Sequence, residues 1–270
     1  MPIITISRGS YSRGKEVAEK VAARLGYDCI SREILLNASK QFNIPEIKLI
    51  HAIHDAPSIL DRFNRSKQTF IAYIRNALVQ RVKNDNVVYH GLAGHLLLPG
   101  IPNILKVRIT STIEDRLATE MQMRQLTREK ALEILLKDDL ERRKWTKTLY
   151  GVDPWDSSLY DLTLRIKRLT VDDAVDFICK AAALDQFKQT ELSQRKLEDL
   201  SIASEIKVSL VERFPSVMVK CEYGNVIVYI KGDERIAKSV KKDLAPLKEK
   251  IHGINNIEVH AGTKAPPEAI

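Results

Sequence analysis

Gly9-Ser10-Tyr11-Ser12-Arg13-Gly14-Lys15 is the stretch on which the fold turns. It has the form G-x-x-x-x-G-K. It lies between a β-branched run, Ile3–Ser7, and an amphipathic segment, Lys15–Leu25, with Val17, Val21 and Leu25 at i, i+4 and i+8. Between a strand and a helix, such glycines let the backbone curl so that its N–H groups point at phosphate oxygens. The helix N-terminus adds its dipole, and Lys15 reaches the outer phosphates. One position departs from the usual pattern: Glu16 stands where a Ser or Thr hydroxyl would hold Mg²⁺. A carboxylate could coordinate magnesium directly or through water, although it brings negative charge near a triphosphate. The competing reading is an ordinary glycine turn opening a helix.

Working outward, strand-like and helix-like segments alternate. Tyr27–Ile30, Val87–His90 and Ile104–Thr110 read as strands. Gln68–Val82 places Ile71, Ile74, Leu78 and Val82 on one helical face. Ser111-Thr112-Ile113-Glu114 has the form of a capping box opening a helix to about Gln125, followed by helical Thr127–Lys137 and Leu140–Lys147. Thr170 opens one more helix, through Leu184. This alternation predicts an α/β fold with a parallel, doubly wound sheet. From Gln186 to Arg195 the chain turns polar and reads as a linker or linking helix. A compact αββαβ pattern comes next: Asp199–Arg213, Val217–Glu222, Val226–Lys231, Asp233–Ile251 and Ile257–His260. The expected domains are 1–185, a linker at 186–198, a small module at 199–262, and a frayed tail at 263–270.

Composition narrows the classes. With 270 residues, 44% hydrophobic and 29% charged, the chain has globular usage and length for about two domains. Three widely spaced cysteines, Cys29, Cys179 and Cys221, argue against a disulfide-stapled domain. Apolar runs fall far short of the about 20 residues a membrane span needs. The N-terminus runs straight into a strand, which predicts a cytoplasmic protein. The net charge of +8 is spread among acids, and aromatics are 6% and not interleaved with basic residues, so no nucleic acid is expected as partner. His90 and His95, and His51 and His54, lack further ligands at metal-binding spacing and read as ordinary polar positions. Asp153 and Asp156 could bind Mg²⁺, but Asp-Pro and Asp-Ser are also turn formers.

The ordered series of motifs resembles the cytidylate kinase-like branch of the P-loop nucleoside-monophosphate kinases, over about residues 3–184. In that branch the loop often ends Gly-Arg-Glu, so Gly14-Lys15-Glu16 is close to its norm. Gly26-Tyr27-Asp28-Cys29-Ile30-Ser31-Arg32-Glu33 is similar to the family's segment after the first helix, with Ser31 where Asp is usual. Val87–Gly94 resembles the strand and turn beside the acceptor nucleotide, with Leu92 in place of Arg. Val107–Arg116 resembles the strand leading to the helical lid, with Arg116 matching its first arginine, although the further arginines are not seen at Ala118 and Thr119, and Asp139-x-x-Arg142-x-x-Trp145 resembles the lid's Asp-x-x-Arg-x-x-Tyr. Tyr150–Trp155, Tyr160-Asp161-Leu162 and Leu169-Thr170 are similar to the family's segments between the lid and the last helix. Residues 199–262 resemble a BON domain, an αββαβ module associated with phospholipid or ligand binding.

The resemblance implies a P-loop kinase core with a helical lid, using ATP and Mg²⁺. It places the phosphates on Gly9, Ser10, Tyr11, Ser12, Arg13, Gly14, Lys15 and Glu16, with Glu16 the candidate magnesium ligand. Lys15, Arg116, Arg142 and Arg143 would act on the transferring phosphoryl, since positioned cations supply most of this catalysis. Arg32, Gly91 and Gly94 would lie at the acceptor. The implied activity is ATP-dependent phosphoryl transfer to a nucleoside monophosphate, CMP or dCMP by family analogy. The alternative is a nucleotide-binding regulator without turnover, coupled to a ligand-binding C-terminal module. Apolar faces on that module could also pair with a second copy of the chain.

Overall fold

The computed structural model describes residues 2–9, 12–31, 67–83, 86–91, 93–262 and 264–270. Five parallel strands form the first sheet: β1 (Ile3–Arg8), β2 (Asp28–Ile30), β3 (Val87–His90), β4 (Ile104–Ser111) and β5 (Leu162–Ile166), in the order β2-β3-β1-β4-β5. Helices cover both faces, which is why β1 reads as an unbroken apolar run. Ile4 and Ile6 pack with Val17 and Val21 of α1 (Gly14–Leu25) and with Val175 and Ile178 of α6 (Val171–Ala182). Ile3 faces the other way, toward Leu78 and Val82 of α2 (Lys67–Val82). The chain leaves β1 toward β2 on one side and β3 leads to β4 on the other. The crevice at the carboxyl end of β1 is therefore a topological switch point, the place where such sheets bind ligands.

A short helix α3 (Gly94–Leu97) follows β3. Between β4 and β5 rises a hairpin of α4 (Ile113–Arg124) and α5 (Arg128–Tyr150), with its own small core of Leu117, Ala131 and Leu135. The expected α/β class and helical lid are present, with three local differences. The cap of α4 is Thr112, whose hydroxyl accepts from Asp115 N, one residue beyond the predicted Ser111 box. The two helical segments predicted after Thr127 are one 23-residue helix. Strand β5 was not predicted, although Leu162, Leu164 and Ile166 alternate with Thr163 and Arg165.

The C-terminal part is α7 (Glu191–Val211), β6 (Met218–Glu222), β7 (Asn225–Ile230), α8 (Glu234–Lys250) and β8 (Asn256–Ala261), the αββαβ order predicted, with a three-stranded sheet β6-β7-β8. One alternative is decided here and one expectation is corrected. Of the linker and the linking helix read for this stretch, most of 186–198 is helix: Thr190 and Ser193 cap α7 reciprocally, and Ser193 and Leu197 are buried. The polar stretch is the solvent side of a helix whose other side packs on α2. Gln80 Nε2 there donates to Glu205 Oε1 at 2.7 Å, and Tyr73 donates to Glu212. The tail is also anchored, because Val219 and Ile270 exchange two backbone hydrogen bonds of 2.8 Å and Ile270 joins the apolar core.

Candidate functional site

Arg13 enters α1 in the left-handed conformation (φ 62°), and its side chain does not cap the helix. The opening N–H groups of α1 thus point out of the loop with the helix dipole behind them. Ser12 turns its hydroxyl back onto Gly9 O at 3.0 Å, closing the loop. Gly14 has to be glycine for packing reasons: a Cβ would lie 2.6 Å from Cβ and 3.0 Å from Cδ of Arg8. Lys15 is exposed, and its Nζ lies 3.6 Å from Glu19. Glu16 gives both carboxylate oxygens to Arg13, at 2.9 and 3.0 Å. Its carboxylate is thereby committed to Arg13, and among the described residues there is no cluster of three carboxylate, imidazole or thiol groups suited to a metal. A magnesium-ligand role for Glu16 would require this exposed pair with Arg13 to open.

Beside Gly9 lies an open cleft lined by Arg8, Arg108, Arg142, Arg143, Trp155 and Tyr160, among others. Arg116 is buried at its edge, with its guanidinium carbon 3.8 Å from where a Gly9 Cβ would be, and it binds both oxygens of Asp139 at 2.8 Å. Arg142 Nη1 donates to Arg8 O at 3.3 Å. Arg143 holds Asp153, which also meets Lys147 at 3.0 Å, so that carboxyl lies well below the usual range. The lid arginines named from the sequence, Arg116, Arg142 and Arg143, therefore do converge beside Gly9. Asp153 and Asp156 are turn formers here: Asp153 accepts from Trp155 N and Asp156 from Ser158 N.

Several cleft residues were not identified as site residues from the sequence. Arg8 ends β1, and its buried Nε has no hydrogen-bond partner among the described residues. Burial, with Arg142 nearby, lowers its pKa. Arg108 donates to Trp155 O at 3.0 Å and lies 5.9 Å from the Tyr160 ring centroid. Tyr160 hydrogen-bonds Ser7, and its ring centroid lies 4.8 Å from that of His95 with the planes tilted by 56°; burial lowers the His95 pKa to about 4. Arg8 carried a local signal, a cation immediately before the glycine loop, while Arg108, Trp155 and Tyr160 lie in segments that resembled the family without marking these residues as part of a site. Gly91 and Gly94 lie under Tyr89, where a Cβ would come within 2.6 and 2.4 Å of its side-chain atoms, which accounts for both glycines by packing. Ser10, Tyr11, Arg32, His51, His54 and Leu92 lie outside the described residues.

The sequence matches the cytidylate kinase-like family over residues 3–168, and the chain belongs to that family. No curated protein matches it. Among solved structures it is similar to an uncharacterized protein from Eubacterium ventriosum ATCC 27560, at 22% identity and TM-score 0.53, covering 67% of this chain and 98% of that one. It is also similar to the shikimate kinase of Bacteroides thetaiotaomicron, at 10% identity and TM-score 0.42, covering 68% and 99%. A third is the shikimate kinase of Acinetobacter baumannii in complex with shikimate, at 13% and 0.39, covering 70% and 96%. The first of these shows a shared fold. No helix among the described residues is long and apolar enough to cross a membrane.

Proposed function

We propose that this protein transfers a phosphoryl group from ATP to a nucleoside monophosphate, with CMP or dCMP the acceptor suggested by its family. The observation that carries this reading is the arginine-lined cleft opening beside an uncapped glycine loop at the switch point of the sheet. The loop amides and Lys15 hold the β and γ phosphates. Arg116, Arg142 and Arg143 meet the charge that spreads over the transferring group, with guanidinium forks suited to its oxygens. Arg8 adds a cation beneath the loop. Gly91 and Gly94 shape the acceptor side together with Arg32. Magnesium bound with the nucleotide would neutralise phosphate charge; no protein carboxylate is assigned to it. Residues 1–185 form the transfer unit in this reading, and 199–262 a module that binds a small ligand.

One observation favours a second reading, a nucleotide-binding regulator. Arg116 and Arg143 are each committed to a carboxylate, Asp139 and Asp153, that a substrate phosphate would have to displace. A panel of nucleoside monophosphates incubated with ATP and magnesium separates the two. A nucleoside diphosphate formed from one preferred acceptor, and lost in Lys15→Ala, supports the transferase. ATP binding without product for any acceptor supports the regulator.

A further inference from the structure

Trp155 is 50% exposed, yet it is held at three points. Its backbone N–H donates to Asp153 Oδ1 at 3.1 Å, its backbone carbonyl accepts from Arg108 Nη1 at 3.0 Å, and the Arg143 guanidinium carbon stands 4.3 Å from its ring centroid. The two backbone hydrogen bonds fix the point from which the side chain leaves the main chain, and Arg143 covers the ring, in the wall of the cleft that also contains Gly9 of the loop. The other tryptophan, Trp145, is buried and packs edge-on against Tyr150, as a core residue does. An exposed aromatic on a free surface needs no explanation. One covered by an arginine in an arginine-lined cleft does, because an indole turns about only two bonds and offers stacking area while losing little side-chain entropy on binding.

We infer that Trp155, backed by Arg143, is the platform on which the base of the bound nucleotide stacks. This rests on the cleft being a nucleotide site, and it assigns the part of the ligand that phosphate contacts do not read. Every base has a π-face, so stacking tolerates base identity. The platform therefore favours base-bearing phosphates over inorganic polyphosphate, without selecting one base strongly.

The test is a titration of the full chain with ATP and, separately, tripolyphosphate, followed by indole fluorescence and calorimetry, with Trp155→Leu alongside. ATP is expected to quench the emission, while tripolyphosphate binds without quenching. Trp155→Leu should bind tripolyphosphate like the unsubstituted chain, lose the quench and bind ATP about tenfold more weakly, the contribution of one stacked base. Circular dichroism shows whether this surface variant is folded. Unchanged ATP affinity in Trp155→Leu overturns the platform and leaves the nucleotide site standing. Failure of both ligands to bind the unsubstituted chain overturns the nucleotide site, and the platform with it.

Discussion

Arg116 on α4 and Asp139 on α5 face each other across the lid hairpin in a two-pronged ion pair, both contacts 2.8 Å, with the side chains only 11% and 21% exposed. The pair fastens the hairpin at the end that approaches Gly9. Removing one partner strands a charge in a poorly solvated place. Asp139→Ala should therefore lower unfolding stability by about 3 kcal/mol. An unchanged urea midpoint would mean that water screens the pair after all.

Lys15 has the opposite character. Its side chain is 64% exposed and makes a loose ion pair with Glu19, so Lys15→Ala should leave the melting temperature where it is. The same substitution should weaken ATP binding by about tenfold or more, the loss of a charge-assisted phosphate contact. Calorimetric titration gives the affinity, and equal binding by both proteins would remove Lys15 from the site.

Gly14→Ala tests the packing beneath the loop. A methyl group 2.6 Å from Arg8 Cβ forces the loop or the strand end to move. The expected cost is about 1–3 kcal/mol of stability, with loss of nucleotide binding. Full binding at normal stability would show that the strand end yields freely.

His95 sets an acid limit on stability. Its pKa is lowered to about 4 by burial, from an ordinary value of 6.5. Between those values the unfolded chain binds the proton and the folded chain does not, so stability rises with pH. The contribution is fully present above pH 6.5, falls as the pH drops toward 4, and amounts to about 3 kcal/mol. His95→Phe should flatten that part of a stability–pH curve. A parallel acid limb in the variant would assign the loss to other groups.

Lys207 acts at the alkaline end. Buried on α7, its Nζ donates to Val217 O at 2.8 Å, and burial lowers its pKa to about 8 from 10.5. The unfolded chain holds the extra proton between those values, so stability should rise as pH goes from about 8 to 10.5. Lys207→Met should lack that rise when denaturant midpoints are compared at about pH 7.5 and pH 10. An equal rise in both proteins would exonerate Lys207.

Much of the core was legible because its signals are local. The loop spacing from Gly9 to Lys15, the one-sided apolar residues of α1 and α2, and the alternation in β4 depend on neighbours within a turn or two. Errors arose where a local signal had a rival. Ser111 and Thr112 are adjacent cap candidates, and only the backbone hydrogen bond to Thr112 separates them. Strand β5 has the right alternation, but its register against β4 makes it a strand.

The sequence by itself determined the glycine-loop spacing between strand and helix, the parallel α/β sheet and the αββαβ order after it, since periodicity and motif spacing are written within single elements. Only the tertiary structure decided which cations share the cleft. Arg8 comes from β1, Arg108 from β4, Arg142 and Arg143 from α5, and Trp155 from the segment before β5, a convergence no single stretch encodes. It also decided between linker and linking helix for the polar run beginning α7, in favour of helix, and that Ile270 is anchored on Val219. Both outcomes depend on apolar surface supplied by residues far away in the chain, and burial against a distant partner leaves no mark on the segment being buried.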